Sequence, residues 1–181
     1  MLFRSKLIHN MRCRGIPEEY TKWIRRKVKD RVTTIKYDNY YATPEIIPTG
    51  MDQGCPMSAV AYQFYSADLI EVVRRNEGED CVGFVDDTTL IAMGEDLEEA
   101  FGKLENIMTR LGGAQQWAEN HECHFALDKF GLIGFTRKCE KDPTGTKKTR
   151  PLTRTPIHIG NQTIKPSAMH KFLGVLFDQE L

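Results

Sequence analysis

Two adjacent acidic residues offer the clearest chemistry in the chain. Asp86 and Asp87 lie between two apolar runs, 81–85 and 88–93, and this pattern predicts a β-hairpin with core-packed strands and both carboxylates at its tip. Like charges this close repel each other, and Mg²⁺, which prefers oxygen ligands, is the natural compensating cation. The pair therefore indicates a two-metal site for phosphoryl transfer; a surface turn without metal is the alternative.

A glycine-rich loop is the second candidate. Residues 50–58 read Gly-Met-Asp-Gln-Gly-Cys-Pro-Met-Ser and precede a buried helix expected over 57–75. Glycine lets a backbone or ligand approach closely, and Pro56 suits the first turn of a helix. The Gln53–Gly54 step could offer amide groups to a base or a phosphate. A turn with a helix cap is the alternative for this segment taken alone.

The remaining pattern of apolar residues predicts an α+β fold with helices packed on one side of a sheet. Further helices are expected over 2–13, from Pro17 through Val28, over 96–111 and over 114–120. Strands are expected over 32–41 (a hairpin turning at Asp38-Asn39), 124–127, 132–135, 157–159, 162–164 and 172–177. Trp23 and Trp117 are expected to anchor the core, and 137–155 to form an exposed loop.

In combination, the two candidate segments resemble motifs B and C of the reverse transcriptases of non-LTR, LINE-like retrotransposons. The matching patterns are Gly-x-x-Gln-Gly-x-Pro-x-Ser in 50–58 and, after a helix, Phe-x-Asp-Asp in 84–87. Residues 117–137, with Phe125, Lys129 and 134–136, resemble motif D, and 171–175 with Asp178 resemble motif E. Residues 15–31 resemble the helical stretch between motifs A and B, and 113–117 are similar to fungal elements. The resemblance covers nearly the whole chain in the family's order.

The resemblance implies a polymerase palm that transfers nucleotides with Mg²⁺. Asp86 would be a metal ligand, and Asp87 a weaker ligand or an electrostatic support. Lys129 would neutralise or protonate the leaving pyrophosphate, unless it is a plain surface lysine. The residues that would lie against the template or the nucleotide are Gln53, Gly54, Pro56 and Ser58. The residues that would shape the primer grip, or simply pack in the sheet, are Phe172, Leu173 and Gly174.

The expected layout is one partial reverse transcriptase domain over 1–181. Its segments would be a helical, fingers-side part (1–49), the palm core (50–135), an exposed basic loop (136–156) and primer-grip-like strands (157–181). The palm would be an antiparallel sheet with helices on one face. Its partners would be an RNA template, a DNA primer, deoxynucleoside triphosphates and the remainder of the retrotransposon polyprotein.

One departure from the family limits the expected activity. Motif A places a metal-binding aspartate on a strand before the first helix found here, and no residue of this chain matches it. A two-ion site needs that bridging carboxylate, so the chain alone is expected not to polymerise. The alternatives are a non-catalytic nucleic-acid-binding or scaffold domain, and a product that does not fold because the missing strand leaves a sheet edge open.

Charge is unevenly distributed along the chain although its formal net charge is zero. Residues 4–31 carry ten Lys and Arg against three acids, residues 68–105 are rich in Asp and Glu, and 137–154 are basic again. Basic flanks around an acidic centre suit a metal-dependent enzyme that acts on nucleic acid, and solvated helix faces are the alternative.

Cysteine usage and hydropathy indicate the compartment. The five cysteines have no regular spacing, which is typical of reduced thiols inside a cell. No apolar stretch reaches the roughly 20 residues that span a bilayer, so an intracellular soluble chain is expected, nuclear or cytoplasmic. His121-Glu122-Cys123-His124 has no second cluster at zinc spacing, and a helix-to-strand turn is the favoured interpretation.

Overall fold

The first two helices follow the apolar spacing of the sequence. In this computed structural model, which describes residues 4–143, 145 and 148–180, α1 spans Arg4–Cys13 and α2 spans Glu18–Val28. Thr21, Ile24 and Val28 form the buried stripe of α2. Trp23 lies one position off this stripe and is 43% exposed, so its prediction as a core anchor is wrong.

A small β-structure follows α2. Strand β1 (Arg31–Thr33) pairs antiparallel with β4 (Glu45–Ile47), and between them β2 (Lys36–Tyr37) pairs with β3 (Tyr40–Tyr41). The turn at Asp38-Asn39 is confirmed, with Asp38 at φ 49°. The hairpin predicted over 32–41 is limited to β2 and β3, because β1 takes β4 as its partner.

Helix α3 (Pro56–Ser66) ends earlier than the predicted 57–75. Short 3₁₀ turns over Ile70–Val72 and Arg75–Glu77 follow it. Two contacts lie at this end of the helix: the Ser66 hydroxyl donates to the Tyr62 carbonyl at 3.0 Å, and the Asp68 carboxylate accepts from Trp117 Nε1 at 2.8 Å. The first contact bends helices, and the second is a tertiary contact that local sequence does not reveal.

The centre of the chain is a hairpin and a long helix, as predicted. Strand β5 (Glu79–Phe84) pairs with β6 (Asp87–Ala92), and α4 (Leu97–Thr109) and α5 (Ala114–Asn120) follow. The Asp96 carboxylate caps α4 by accepting from the Glu99 backbone at 2.9 Å. The Glu99 side chain accepts from the Glu95 backbone at 2.7 Å, which completes a reciprocal cap.

The C-terminal third differs most from the sequence predictions. The strands predicted over 124–127 and 132–135 are absent among the described residues: a 3₁₀ turn covers Leu127–Lys129, and Leu132 makes one isolated parallel bridge with Pro166. The expected loop over 137–155 contains a paired β7 (Cys139–Lys141) and β8 (Thr149–Pro151); its residues 144, 146 and 147 lie outside the described residues.

The last strands form two hairpins. Strand β9 (Ile157–Ile159) pairs with β10 (Gln162–Ile164), as predicted. The single strand predicted over 172–177 is instead β11 (Met169–Phe172) and β12 (Val175–Asp178), because Leu173 and Gly174 turn with φ 48° and 86°. Every sheet in the described part of the chain is two-stranded. A mixed α+β fold is confirmed, whereas a polymerase palm sheet stays a prediction.

The chain forms two compact units that interleave along the sequence. The first comprises residues up to Val73, Cys81–Thr89 and Gln116–His124; the second comprises Arg74–Asp80, Leu90–Gln115 and Phe125 onward. The first core includes Leu7, Ile24, Ala61, Tyr65, Leu69 and Trp117, and the second includes Phe101, Ile107, Met108, Leu132, Ile157 and Ile164. No helix within the described ranges is both long and apolar enough to cross a bilayer.

A buried ion pair ties β5 to the end of α4 in the second unit. Arg110 Nη1 and Nη2 donate to the two Glu79 carboxylate oxygens at 2.6 and 2.7 Å, and the side chains are only 8% and 3% exposed. The Arg74 backbone N–H donates to the same carboxylate at 2.7 Å. Burial by itself raises the pKa of Glu79, but the Arg110 and Arg74 hydrogen bonds outweigh it and hold that pKa below its ordinary value.

Removing one partner of this pair should strongly destabilise the fold. We expect Arg110→Met to cost roughly 3–5 kcal/mol, because it leaves a buried carboxylate uncompensated. The matched control is Arg75→Met, whose partner Asp80 lies at 3.1 Å in an exposed pair and should matter by less than about 1 kcal/mol. Urea denaturation measures both, and equal costs would contradict the expectation.

The same pair makes stability depend on acid pH. Because the folded pKa of Glu79 is lowered, its contribution is complete above the unfolded pKa and is lost as pH falls through the folded one. The urea concentration at the midpoint of unfolding should therefore decrease as the pH is lowered through the folded pKa of Glu79. In the Glu79→Gln variant, the midpoint should depend less on pH over the same interval.

Candidate functional site

The β5–β6 hairpin carries the predicted acidic pair on a strained turn. Val85 and Asp86 form a two-residue turn, Asp87 opens β6, and Val85 has φ 54°. A β-branched residue in the left-handed region is a genuine outlier that costs on the order of 1–2 kcal/mol. Strain of this kind concentrates at functional sites, so the turn marks this tip as a candidate.

Both carboxylates at the tip face solvent without a partner. Asp86 and Asp87 are exposed, and neither side chain forms a hydrogen bond or an ion pair with any other residue that the structure describes. The expectation that both strands lie in a core is wrong for the tip. Glu79 and Cys81 are buried on one face of β5, but Phe84 on the other face is 56% exposed, because this two-stranded sheet is covered on one face only.

The tip lies close to α3 and to the turn that follows it. A Cβ placed on Gly83 would come within 3.1 Å of Ile70 Cδ1, so β5 passes tightly over this segment. Burial raises the pKa of Tyr62 on α3, and the negative charge of Asp86 raises it further. The carboxylate of Asp86 therefore acts on the helix that begins at the glycine-rich loop.

Arg31 holds the glycine-rich loop in shape. Its Nη1 donates to the Gly50 carbonyl at 2.8 Å and its Nη2 to Asp52 Oδ1 at 2.7 Å. The Ser58 hydroxyl donates to the Asp52 carbonyl at 2.6 Å, which folds the loop against the start of α3. Gly54 has φ 80°, a conformation that suits glycine.

The predicted binding residues of the loop differ in whether their side chains are already hydrogen-bonded within it. Gln53 is exposed, and its side chain makes no hydrogen bond within the described ranges. Pro56 begins α3, as predicted, whereas the Ser58 hydroxyl already donates to the Asp52 carbonyl within the loop.

Cys55, the N-cap of α3, is a residue that the sequence analysis did not single out. A hydrogen bond from the Met57 backbone N–H is the main cause that lowers the pKa of its thiol. A Cys-Pro step at a predicted helix start was the available signal.

The second unit carries the remaining predicted site residues. Lys129 ends the 3₁₀ turn Leu127–Lys129 and is exposed. Phe172 is half-buried at the end of β11, and Leu173 and Gly174 form the tip of the β11–β12 hairpin. The structure brings this hairpin beside residues 134–136: Thr136 N donates to the Gln179 carbonyl at 3.2 Å, and the Phe135 and Phe177 rings meet edge to face with centroids 6.4 Å apart.

Gly134 allows α4 to approach this region. A Cβ at Gly134 would lie 2.8 Å from Phe101 Cζ and 3.1 Å from Leu97 Cδ2, both on α4. The glycine is therefore required for packing in the second unit, independently of any role in a polymerase.

His121 packs in the core of the first unit, and a turn follows α5 at residues 121–122, as predicted, but the strand expected after it is absent among the described residues. His121 is buried, its ring stacks on Trp117 with centroids 4.3 Å apart, and its Nε2 lies 3.3 Å from Asp68 Oδ2 without the alignment of a hydrogen bond. Trp117 is a core anchor, as predicted. Across the described residues, no group of three or more His, Cys, Asp or Glu side chains is arranged to hold a metal.

Comparison with models of known families finds no match to this chain, and no curated protein matches it either.

Relieving the strain at Val85 should stabilise the hairpin. Asparagine tolerates the left-handed region, so we expect Val85→Asn to raise the free energy of unfolding by about 1 kcal/mol. The matched control is Val82→Asn in β5, which should destabilise because asparagine is disfavoured in strands. Chemical denaturation compares the two variants, and a loss at Val85 as large as at Val82 would argue against strain in the turn.

Proposed function

We propose that this chain is part of the palm of a retrotransposon reverse transcriptase, an RNA-directed DNA polymerase. The observation that carries the proposal is the pair of exposed, unpartnered carboxylates, Asp86 and Asp87, on a strained turn beside α3. The order of the matched segments supports it, from the Gln53 loop through the Asp-Asp hairpin to the Leu173 hairpin.

The donor set at the tip fits Mg²⁺. Proteins commonly hold this ion through one or two carboxylates, with water and substrate phosphates completing the shell. Asp86 and Asp87 are hard oxygen donors with no competing cation from the described residues. When bound, the metal would activate an attacking hydroxyl and stabilise charge on the leaving oxygen.

The other residues would position the substrates. The exposed amide of Gln53, on a loop braced by Arg31, would contact the template base or the incoming nucleotide. Lys129 would place a positive charge near the leaving pyrophosphate, where a cation lowers the barrier. The β11–β12 hairpin, with Phe172, Leu173 and Gly174, would hold the primer end.

The proposal includes a limit on activity. A two-ion site needs a carboxylate that bridges both ions, and the part of the chain that the structure describes gathers no third ligand with Asp86 and Asp87. We therefore expect the isolated chain to bind metal weakly and to extend no primer unless another segment supplies this ligand.

Metal binding at the tip can be tested directly. Mn²⁺, a paramagnetic substitute for Mg²⁺, should broaden the backbone amide NMR signals of residues 85–88 first, and excess Mg²⁺ should reverse the effect. The double variant Asp86→Asn, Asp87→Asn should abolish this selective broadening.

Asp38→Asn is the matched control for this experiment. Asp38 is also an exposed aspartate at the turn of a two-stranded hairpin, but it has no adjacent carboxylate. Its loss should leave the broadening at 85–88 unchanged. Broadening that is centred elsewhere, or that survives the double variant, would falsify the proposed metal site.

Primer extension separates the catalytic proposal from a non-catalytic nucleic-acid-binding domain. With Mg²⁺, deoxynucleotides and an RNA-templated primer, the isolated chain should show no incorporation. Adding a segment that supplies the missing carboxylate should restore activity that depends on Asp86. Oligonucleotide binding that never yields such activity, with no metal at the tip, favours the scaffold alternative.

A further inference from the structure

A basic groove runs between α1 and α2 in the first unit. It has a volume of about 750 Å³, which is within the range of ligand-binding clefts. Cationic side chains from both helices line it: Arg4 and Arg12 from α1, and Arg25 from α2 with Lys29 directly after it. Asp30 is the single acidic residue in the lining.

Two of these cations have no counter-ion among the described residues. Arg12 is paired with Glu18 at 2.6 Å and Lys29 with Asp30 at 3.4 Å, but neither Arg4 nor Arg25 makes an ion pair. Arg4 donates from Nη2 to the Ile47 carbonyl at 2.8 Å, while its buried Nε has no hydrogen-bond partner. Burial and then the nearby charge of Arg31 lower the pKa of Arg4. An anion in the groove would stabilise the charged form of Arg4 and offset the repulsion from Arg31.

We propose that this groove binds the phosphodiester backbone of a nucleic acid strand. Arg4 and Arg12 are eight residues apart on α1, so they span about 12 Å of the helix axis. One strand of a duplex carries a phosphate every 3.4 Å or so along its axis, so this length spans about four phosphates. Arg25 on α2 and Lys29, which directly follows the end of this helix, line the other side of the groove.

The groove suits an extended polyanion better than a single phosphate. Its cations come from two helices along its length, and residues 4–31 as a whole carry ten Lys and Arg against three acids. Such a surface attracts a phosphate backbone without reading its sequence. The inference deepens the proposed function, because nucleic acid is the polyanion which that function requires. It involves none of the residues assigned to the metal, the template loop or the primer grip.

Arg25 and Arg26 provide a matched pair for the test. Both are exposed on α2, carry the same charge and form no ion pair within the described ranges, but only Arg25 lines the groove. Binding of a fluorescein-labelled single-stranded oligonucleotide and of a duplex is followed by fluorescence anisotropy with the full chain, in EDTA, at several salt concentrations.

Arg25→Glu should weaken binding about tenfold and reduce the salt slope by about one, and adding Lys29→Glu should weaken it further. Arg26→Glu should have a much smaller effect, and Arg25→Lys should retain most of the affinity. Circular dichroism of each variant confirms that the fold is kept; if Arg25→Glu unfolds the chain, Arg25→Gln replaces it.

Equal losses for Arg25→Glu and Arg26→Glu would mean that total charge alone attracts the oligonucleotide, and this overturns the proposed groove. So would oligonucleotide binding that ignores Arg25, or binding to phosphatidylserine vesicles that is lost with Arg25→Glu while oligonucleotide binding is kept. The outcome is separable from the metal test: the anisotropy is measured without divalent ions, and the groove variants should leave Mn²⁺ broadening at residues 85–88 intact.

Discussion

Tyr65 fixes the helix on which the candidate site of the first unit depends. Its ring is almost fully buried on α3, its hydroxyl donates to the His121 carbonyl at 2.9 Å, and its carbonyl accepts from Asn10 Nδ2 at 3.1 Å. Because buried polar groups left unpaired are costly, these bonds set where α3 lies against α1 and the end of α5. The glycine-rich loop leads into this helix, and the charge of Asp86 acts on Tyr62 within it. A shift of α3 would therefore change both the loop and the surroundings of the acidic tip.

The acidic tip is tolerable in the folded chain because it is exposed. Water and salt screen the repulsion between Asp86 and Asp87, so the hairpin needs no metal in order to form. Local structure is what holds the pair together: the left-handed Val85 closes the turn, and Gly83 lets β5 pass close to Ile70. A compensating cation becomes necessary only when a third anion, such as a phosphate, approaches the same point.

Elements specified by local pattern were predictable, and elements specified by distant contacts were not. The apolar stripes of α1, α2 and α4 and the turn at Asp38-Asn39 follow from spacing and turn residues. The hairpin of the acidic pair was also predictable, but its turn lies at Val85-Asp86, one residue before the predicted Asp86-Asp87 tip. Helix α3 ends before the predicted residue 75, and just beyond it Asp68 contacts Trp117, 49 positions away. Residues 132–136 have strand-like composition, yet they are held by single contacts such as Ser167 N to the Leu132 carbonyl, so no ladder forms. The acidic pair was predictable, but its exposure was not, because alternation along β5 does not reveal which face lacks a covering layer.

The acidic tip and the basic groove of the first unit would act in opposite ways on the phosphates of a nucleic acid. Two unneutralised carboxylates repel a phosphate backbone, so a site built on Asp86 and Asp87 cannot by itself supply affinity for a primer and template. Affinity must then come from cations elsewhere, and it must exceed this repulsion at the ionic strength of a cell, where the Debye length is about 8 Å. The groove lined by Arg4, Arg12 and Arg25 is the proposed source of this affinity, because its charges lie on a concave surface and two of them have no counter-ion among the described residues. The chain has no formal net charge, yet it separates a basic groove, proposed to hold phosphates, from an acidic hairpin tip, proposed to bind a metal.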